Sequence, residues 1–263
     1  MFSNRETRAR HHGISLISLR NLMRIAVVSD IHGNLEALRQ VLEDIDQSGV
    51  DSVVCLGDNI GYGPEPEAVV NLMRERNIPS VMGNHELAIV EPRYLDWMNS
   101  TARISVLLTQ KFISQDTLDH MKGLKTSLAF HDSLCVHGCP PDSVTTYLFQ
   151  VSRTSLEQIF RSMKEKICFV GHTHLLEIIR FDGEEITHSR LSEGLFALEA
   201  EHHYIINAGS VGQPRDNDNR AKYVIWDTSS RHVDVRYVAY DIAKTASRIL
   251  ELGFPEFNAQ RLW

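Results

Sequence analysis

The heptapeptide GDNIGYG, residues 57–63, directly follows the apolar run VVCL at residues 53–56. A short β-branched and apolar run of this kind predicts a buried strand, which places Asp58 just beyond a strand's carboxyl end. In open α/β sheets the ligand crevice lies outside the carboxyl ends of the strands, so Asp58 is expected to point into a cleft. Taken alone, the same Asp-Asn pair is more typical of an ordinary turn whose side chains bond nearby backbone groups.

The same pattern recurs at four other strand candidates. They are found in IAVVSDIHGN (25–34), SVMGNHE (80–86), LCVHG (134–138) and ICFVGHTH (167–174). Each ends in a carboxylate, an amide or an imidazole, usually beside a glycine that lets backbone approach closely. Such groups are ligands for Mn²⁺, Fe and Zn²⁺. The recurrence therefore favours a metal site assembled from strand ends over five unrelated turns.

The composition is that of an ordinary soluble globular protein, since 43% of the 263 residues are hydrophobic and 23% are charged. The length allows one large domain or two small ones. We find no internal repeat, no low-complexity segment and no linker rich in Pro, Gly or Ser. Residues 23–263 are therefore predicted to form a single domain.

The charge balance limits the class of partner. A net charge of -7 argues against a nucleic-acid polymer, because proteins that bind one usually carry a basic face. A small anionic substrate drawn in by metal ions remains compatible with it. No run approaches the roughly 18 apolar residues that a membrane span needs, so no membrane partner is expected. The sequence leaves the oligomeric state open.

The first 22 residues are basic and polar, with one short apolar patch at residues 14–19. That patch is shorter than the apolar region of a signal peptide, and no small-residue cleavage site follows it. Residues 1–22 are predicted to be a disordered leader or an over-long start, with Met23 opening the folded protein. An Arg-rich transit segment is the alternative.

The four cysteines show neither CxxC spacing nor a disulfide framework: Cys55, Cys135, Cys139 and Cys168. Three of them lie in the apolar strands described above. They are predicted to be reduced core residues of a cytoplasmic protein. Cys139, just past a strand-end histidine, keeps a metal-binding or redox role open as the minor alternative.

Residues 24–82 alternate strand, helix, strand, helix, strand, which is the signature of parallel strands with right-handed crossovers. The predicted strands are 24–29, 52–56 and 78–82, and the predicted helices are 34–47 and 67–76. Apolar residues recur at helical spacing in the first helix and mark its core face: Leu35, Leu38, Val41, Leu42 and Ile45.

The rest of the chain adds a helical insertion and mostly antiparallel strands. Residues 100–121 are predicted to form two helical segments broken near Ser114, and the sequence leaves open whether they cap the cleft or only cover the sheet. Asp182-Gly183 is a strong hairpin signal. The further predicted strands are 126–130, 133–137, 175–181, 185–191, 195–198, 204–207, 222–227 and 232–240, and the further helices are 154–164 and 242–252. Two mixed sheets packed face to face with helices outside is the simplest closed α/β arrangement.

The series DIH (30–32), GDNIGYG, GNHE (83–86), HG (137–138) and GHTH (171–174) resembles the calcineurin-like metallophosphoesterases, with all five blocks in the family's order. NAGSVGQPRD (207–216) is similar to the YfcE-like bacterial and archaeal phosphodiesterase branch. The resemblance implies the metallo-dependent phosphatase fold, a four-layer α/β/β/α sandwich with a dinuclear metal centre.

The resemblance also implies the ligands. Asp58 is the expected bridge, because two ions about 3.5–4 Å apart need a carboxylate between them. The family pattern assigns Asp30, His32 and His174 to one ion, and it assigns Asn84, His137 and His172 to the other. Both ions are expected to be Mn²⁺, with Fe, Zn²⁺ and Ni²⁺ as alternatives. Eight histidines are assigned to surface or structural positions: His11, His12, His120, His131, His188, His202, His203 and His232.

The activity implied is hydrolysis of a small phosphate ester by in-line attack of a metal-bridging hydroxide. His85 would protonate the leaving alkoxide or stabilise its charge. The Asp and Arg expected after the bridging acid in protein phosphatases are replaced by Gly61 and Tyr62, and Leu87-Ala88 also lacks an expected Arg. Fewer guanidinium clamps favour a singly charged diester over a monoester dianion. Arg215 is a candidate phosphate contact or, equally, a surface residue.

Two alternatives to a phosphodiesterase stay open. One is a phosphomonoesterase or a dinucleoside polyphosphate hydrolase. The other is a protein-binding scaffold with little catalysis, as in the metallophosphoesterase-like subunit of retromer, because fold alone does not prove activity. That scaffold type lacks the catalytic histidine, whereas this chain has His85 and every expected ligand.

Overall fold

A computed structural model describes residues 23–263, and the prediction for residues 1–22 lies outside the described residues. The helices are Leu35–Gln47 (α1), Pro66–Glu75 (α2), Asn84–Val90 (α3), Ser100–Thr109 (α4), Gln115–Lys122 (α5), Arg153–Ser162 (α6), Ile242–Glu251 (α7) and Glu256–Gln260 (α8). Two 3₁₀ segments cover Pro92–Trp97 and Leu148–Gln150.

The strands form two sheets. They are Arg24–Val28 (β1), Ser52–Cys55 (β2), Ser127–Phe130 (β3), Ser133–Val136 (β4), Ile167–Val170 (β5), Leu176–Phe181 (β6), Ile186–Arg190 (β7), Gly194–Ala197 (β8), His203–Ala208 (β9), Ala221–Asp227 (β10) and His232–Val238 (β11). The first sheet has the order β2-β1-β10-β11-β8, and the second has the order β3-β4-β5-β9-β6-β7. Both sheets are mixed, since β1 pairs parallel with β2 and antiparallel with β10, while β5 pairs parallel with β4 and β9.

The sheets pack face to face around one apolar core. Its largest contributors from the two sheets include Ile25, Val54, Phe169, Ile206 and Trp226. A second cluster joins α1 and α2 to the outer face of the first sheet, and a third joins α6 to the outer face of the second. Burying one aliphatic side chain contributes about 1.5–3 kcal/mol, so these layers form a firm support. The predicted α/β/β/α sandwich is confirmed.

Local sequence explains the elements nearest the cleft. The α1 stripe predicted from spacing is fully buried, and the Asn34 side chain caps the helix by accepting the Ala37 N–H. Ser114 caps α5 in the same way, as predicted, by accepting the Thr117 N–H. Gly253, after α7, has a left-handed φ of 74°, which suits a helix C-terminus.

The predicted strand 78–82 is wrong in extent. Only isolated bridges form there, from Ser80 to Cys55 and from Val81 to Lys125. Pro79 has no N–H to donate, so a continuous ladder is interrupted at that position. The short helices α3 and α8 were not predicted, because neither is long enough to show a helical apolar period.

Four strands deliver the chain to one end of the sandwich. After β1 the Asp30 N–H donates to the Gly57 carbonyl at 3.0 Å, and after β5 the Gly171 N–H donates to the His137 carbonyl at 2.9 Å. The loops that follow β1, β2, β4 and β5 are thereby tied together. None of the helices over residues 23–263 has the length and apolar content to cross a membrane.

Candidate metal centre

The loops after β1, β2 and β5 contain residues with left-handed backbone conformations. Five of the predicted site residues adopt left-handed φ values: Asp30 (52°), His32 (51°), Asp58 (54°), His172 (67°) and His174 (60°). Such a conformation costs a non-glycine residue about 1–3 kcal/mol and persists only where surrounding structure enforces it. Clustering of this strain at strand ends is typical of a functional site.

One predicted ligand group gathers around Asp30. The His174 Nε2 atom lies 3.2 Å from Asp30 Oδ1, and the His32 Nε2 atom lies 3.7 Å from the same oxygen. The two imidazole Nε2 atoms are 3.1 Å apart. Asp30 is oriented through its other oxygen, since Oδ2 accepts from the Ser29 hydroxyl at 2.6 Å and from the His172 N–H at 3.0 Å. All three side chains of this group are buried.

The second predicted group gathers around His137. Its Nε2 atom lies 3.1 Å from Asn84 Oδ1 and 3.2 Å from His172 Nδ1. Asn84 is the first residue of α3, and His172 follows β5. The sequence therefore brings three residues from three separate segments to one point.

Asp58 lies between the two groups. Its Oδ2 atom is 3.7 Å from His32 Nε2 and 3.4 Å from His137 Nε2, one imidazole from each group. Its Oδ1 atom accepts the backbone N–H of His85 at 2.9 Å, which fixes the orientation of the carboxylate. One buried carboxylate oxygen thus faces both groups.

Four imidazoles are oriented by backbone carbonyls. The nitrogen of each ring that points away from the centre lies against a carbonyl: His32 Nδ1 on Ile60 at 3.0 Å, His137 Nδ1 on Leu56 at 2.8 Å, His174 Nδ1 on Gln213 at 2.6 Å and His172 Nε2 on Thr145 at 3.3 Å. With a cation bound, that nitrogen would carry the proton and donate to the carbonyl, and the inward nitrogen would coordinate, as metal-binding histidines do.

The charge distribution of the site favours binding of cations. Burial opposes the charged form of Asp58, but His137 and His85 outweigh it and hold the pKa of this carboxyl well below its usual range. Burial lowers the pKa of His137, yet Asp58 and Asp30 raise it to about 9. Among residues 23–263, no Lys or Arg forms an ion pair with Asp30 or Asp58, and Asp30 Oδ1 has no hydrogen-bond partner. Buried carboxylates grouped with imidazoles and without a Lys or Arg partner fit divalent cations, which would displace the imidazole protons.

His85, the predicted proton donor, lies beside the centre. Its Nε2 atom is 3.9 Å from Asp58 Oδ2, and its ring contacts the Tyr62 ring at a centroid distance of 4.7 Å. Nδ1 is buried without a hydrogen-bond partner. Burial lowers the pKa of His85 to about 4, although the charge of Asp58 opposes the shift. Gly61 leaves room for the ring, since a Cβ there would come within 2.0 Å of His85 Nδ1.

Glu86 is a positioning residue that the sequence reasoning did not single out. Its buried carboxylate accepts three backbone N–H groups, from Asn59 at 2.7 Å and from Asp58 and Gly83 at 2.9 Å each. It therefore ties the loop that carries Asp58 to the start of α3. The final residue of GNHE, a carboxylate at the third position of a helix, was the available signal.

Arg215 reaches the cleft from the loop after β9. Its side chain is partly buried, Nη2 donates to Gln213 Oε1 at 3.1 Å, and Nε has no hydrogen-bond partner among residues 23–263. The loop is anchored by Lys222, a fully buried lysine whose Nζ atom lies 2.8 Å from Asp216 Oδ1. Arg215 therefore faces the site with donors to spare.

A cleft lies over the centre. Candidate metal-centre residues line its inner part: Asp58, Asn84, His85, His172 and His174. Arg215 is the one cationic side chain among the described residues that line it. Ala102 of α4 borders the cleft, whereas Met121 at the end of α5 packs into a cluster with Ile60 and Val70. Of the two helices predicted in residues 100–121, α4 therefore borders the cleft and α5 covers the core.

The other histidines stay apart from the cleft. The six that lie within residues 23–263 do not line it: His120, His131, His188, His202, His203 and His232. His11 and His12 lie outside the described residues. The four cysteines are free and buried, and burial raises the pKa of the Cys139 thiol to about 11. Cys139 belongs to none of the His, Asp and Glu groupings at the centre.

Comparison with known proteins gives consistent results. A family model described as the calcineurin-like phosphoesterase superfamily domain matches residues 23–231. An uncharacterized protein of Methanocaldococcus jannaschii is 35% identical over 244 residues, which cover 91% of this chain and 97% of that protein. The crystal structure of a metallophosphoesterase from Sphaerobacter thermophilus is 36% identical, with a TM-score of 0.79 over 92% of this chain and 98% of that one. A hypothetical protein of Pyrococcus horikoshii OT3 superposes with a TM-score of 0.73 at 20% identity, covering 91% and 97% of the chains.

Proposed function

The chain belongs to the calcineurin-like phosphoesterase superfamily, and from this premise we propose that it hydrolyses a small phosphodiester at a pair of divalent cations. The family predicted from the sequence is confirmed, and with it the coarser class of metal-binding phosphoesterase. The number of cations, their identity as Mn²⁺ and the preference for diesters belong to the proposal.

One observation carries the proposal. Asp58 Oδ2 faces an imidazole of each ligand group, at 3.7 Å and 3.4 Å. A single shared carboxylate is what a two-cation site requires, because it balances charge on both ions and keeps them close. Asp30, His32 and His174 would hold one cation, and Asn84, His137 and His172 would hold the other. When bound, the cations would polarise the phosphoryl oxygens and supply a nucleophile at neutral pH.

The chain's own residues supply the remaining steps. Arg215 donates to a phosphoryl oxygen and orients the ester above the centre. His85 lies next to Asp58 and donates to the departing oxygen. A hydrogen bond from the His85 ring to that oxygen would protonate it or stabilise the charge that develops on it.

The preference for a diester rests on charge. A monoester dianion is held best by several fixed guanidinium groups. Arg215 is the one guanidinium among the described residues that line the cleft. Gly61 and Tyr62 occupy the positions after Asn59 and Ile60, so that loop adds no cation. A single clamp suits the single charge of a diester. The net charge of -7 argues for a small ester over a nucleic-acid polymer.

The test combines metal analysis with a substrate panel. Protein stripped with a chelator and reloaded with Mn²⁺ is expected to bind two ions per chain. It should hydrolyse bis-(p-nitrophenyl) phosphate faster than p-nitrophenyl phosphate or a dinucleoside polyphosphate. A monoester or polyphosphate preference would replace the diesterase assignment with the corresponding alternative. Binding of two ions without hydrolysis of any ester would favour a protein-binding scaffold.

A further inference from the structure

Trp97 is an exposed tryptophan at the cleft. It ends the 3₁₀ segment Pro92–Trp97, lines the cleft and has 78% of its surface exposed. The segment is fixed by buried Leu95, and Tyr94 packs partly against the apolar cluster beneath α3 and α4. The Tyr94 and Trp97 ring centroids are 5.8 Å apart. The backbone is therefore anchored, while the indole has a free face.

A second aromatic pair includes Tyr147, which also lines the cleft. The Tyr147 ring stacks on His172, with centroids 3.8 Å apart and planes 20° apart. Phe149 stacks on Tyr147 at 5.0 Å and is itself 72% exposed. We call Tyr94, Trp97, Tyr147 and Phe149 the aromatic rim. Two pairs from separate 3₁₀ regions thus leave apolar ring surface in water beside a candidate catalytic centre.

Exposed ring surface that lines a cleft is available to stack on a flat group of a ligand. Tryptophan is highly buried on average in folded proteins. Most residues that line a ligand cleft are apolar or aromatic, with a few polar groups that fix orientation. Here the polar groups are Arg215, Asn84 and Asn99, and Asn99 uses its Oδ1 atom to accept the Ala102 N–H. The Asn99 amide hydrogens have no hydrogen-bond partner within residues 23–263 and can donate to a polar ring edge.

The cationic Arg215, the exposed rings and the Asn99 amide together indicate which chemical groups a ligand of this cleft carries. A phosphoryl group at the centre would be held near Arg215, and a flat ring attached to it would lie over Trp97 and Tyr94. The lining of one cleft includes Arg215, Trp97 and Tyr94, so a single ligand can contact all three side chains. An aliphatic ester would leave the ring surface uncovered. A heteroaromatic ring would cover that surface and meet the Asn99 amide with its polar edge.

We infer that Trp97 and Tyr94 form a stacking subsite, and that the substrate is a phosphodiester with a nucleoside as one of its two ester groups. This inference rests on the proposed function and names its substrate class. Tyr147 and Phe149 complete the aromatic surface around the second ligand group. Neither Trp97 nor Tyr94 takes part in bond breaking, so their effect is on substrate selection.

The direct test is a binding contrast on the full chain loaded with Mn²⁺. Adenosine 5′-monophosphate and ribose 5-phosphate share phosphate and sugar and differ in the base. Wild type is expected to bind the nucleotide about tenfold more tightly, from the usual strength of base stacking on an aromatic side chain. Trp97→Ala should abolish most of that difference, and Trp97→Phe should restore part of it. Phenyl phosphate, as a third ligand, separates a plain aryl ring from a nucleobase.

Trp263→Ala is the matched control, because Trp263 is also largely exposed, at 69%, and does not line the cleft. It should retain the full contrast. Equal affinity of wild type for the nucleotide and ribose 5-phosphate would overturn the subsite. The subsite would also be overturned if Trp97→Ala kept the full difference in affinity between the nucleotide and ribose 5-phosphate. The same conclusion would hold if that variant changed only self-association. Binding of phenyl phosphate as tight as the nucleotide would overturn the nucleoside assignment.

Hydrolysis separates failure of the subsite from failure of the proposed function. Thymidine 5′-(p-nitrophenyl phosphate) and ethyl p-nitrophenyl phosphate release the same chromophore. Trp97→Ala is expected to lower the ratio of their kcat/KM values about tenfold. Turnover of both esters with an unchanged ratio would remove the subsite and leave the diesterase. A binding contrast that depends on Trp97 without turnover of either ester would keep the subsite and remove the diesterase.

Discussion

The inner part of the cleft and its aromatic rim are built on different principles. The inner residues follow buried parallel strands, and Asp58 and His137 are held there by backbone hydrogen bonds at 2.9 Å and 2.8 Å. The rim residues Trp97 and Phe149 lie on or beside 3₁₀ segments and are 78% and 72% exposed. Rigid strand ends suit chemistry that tolerates little displacement. Exposed irregular segments can change without disturbing the core. Changes inside should therefore reduce the rate, and changes at the rim should alter the choice of substrate.

The largest effect is expected for Asp58→Asn. The amide keeps the shape of the side chain and removes the charge that both ligand groups face. We expect loss of at least one bound cation and a fall in kcat of about 10³-fold or more, since cation stabilisation contributes several kcal/mol. Metal analysis by mass spectrometry and diester kinetics measure both. Retention of two ions and near-normal kcat would break the distinction between interior and rim.

His85→Ala should come next. Proton donation typically contributes ~10²- to 10⁴-fold, and it matters most for poor leaving groups. We expect a larger loss of kcat on alkyl esters than on nitrophenyl esters, with metal content unchanged. Equal losses on both classes of ester would remove the acid role.

Gly61→Ala tests the role of His85 by displacing its ring instead of removing it. Its Cβ would come within 2.0 Å of His85 Nδ1, so the ring must move. We expect kcat to fall about 10²-fold, because small displacements of catalytic groups are that costly. Gly49→Ala is the control, since Gly49 also has a left-handed φ, 63° against 84°, and nothing within 4 Å of the added carbon. Similar kinetics in the two variants would show that backbone strain, not His85, is responsible.

Glu86→Gln should give a smaller loss. The amide can accept fewer of the three N–H groups that the carboxylate now accepts. We expect unfolding free energy to fall by about 1–3 kcal/mol and kcat to fall about tenfold. Chemical denaturation and diester kinetics provide the two values. Unchanged stability would show that Glu86 does not tie the Asp58 loop to α3.

Arg215→Ala should have the smallest effect among the interior changes. Losing one charge-assisted hydrogen bond to phosphate is expected to raise KM about tenfold for a charged diester. A neutral phosphotriester of similar shape should bind about as before in a competition assay. Arg39→Ala serves as control, because the Arg39 side chain is 57% exposed on α1. Unchanged KM for the diester in Arg215→Ala would assign Arg215 to the surface.

Much of the interior could be predicted from sequence because it obeys a local rule. All the candidate ligands except Asn84 follow an apolar strand, and β1 and β2 of one sheet and β4 and β5 of the other end at the same end of the sandwich. The sequence alone could therefore predict that the five blocks meet at one site, without any distance between them. Asp30 and Asp58 are now seen with Oδ atoms 3.7 Å from the same His32 Nε2 atom.

The features missed by the sequence lack such a rule. The strand 78–82 was overestimated because Pro79 interrupts the ladder that its apolar neighbours favour. Glu86 acts through backbone groups of a loop 27 and 28 residues earlier, and no periodic pattern marks such a contact. Trp97 lies on a short 3₁₀ segment, where neither helical nor strand spacing shows which side chains face a cleft.

Anomalous scattering from crystals grown with Mn²⁺ would show whether two cations share Asp58. Two peaks about 3.5–4 Å apart are expected, with Asp58 Oδ2 between them. Asp30, His32 and His174 should surround one peak, and Asn84, His137 and His172 should surround the other. A single peak, or two peaks with Asp58 coordinating neither, would contradict this arrangement.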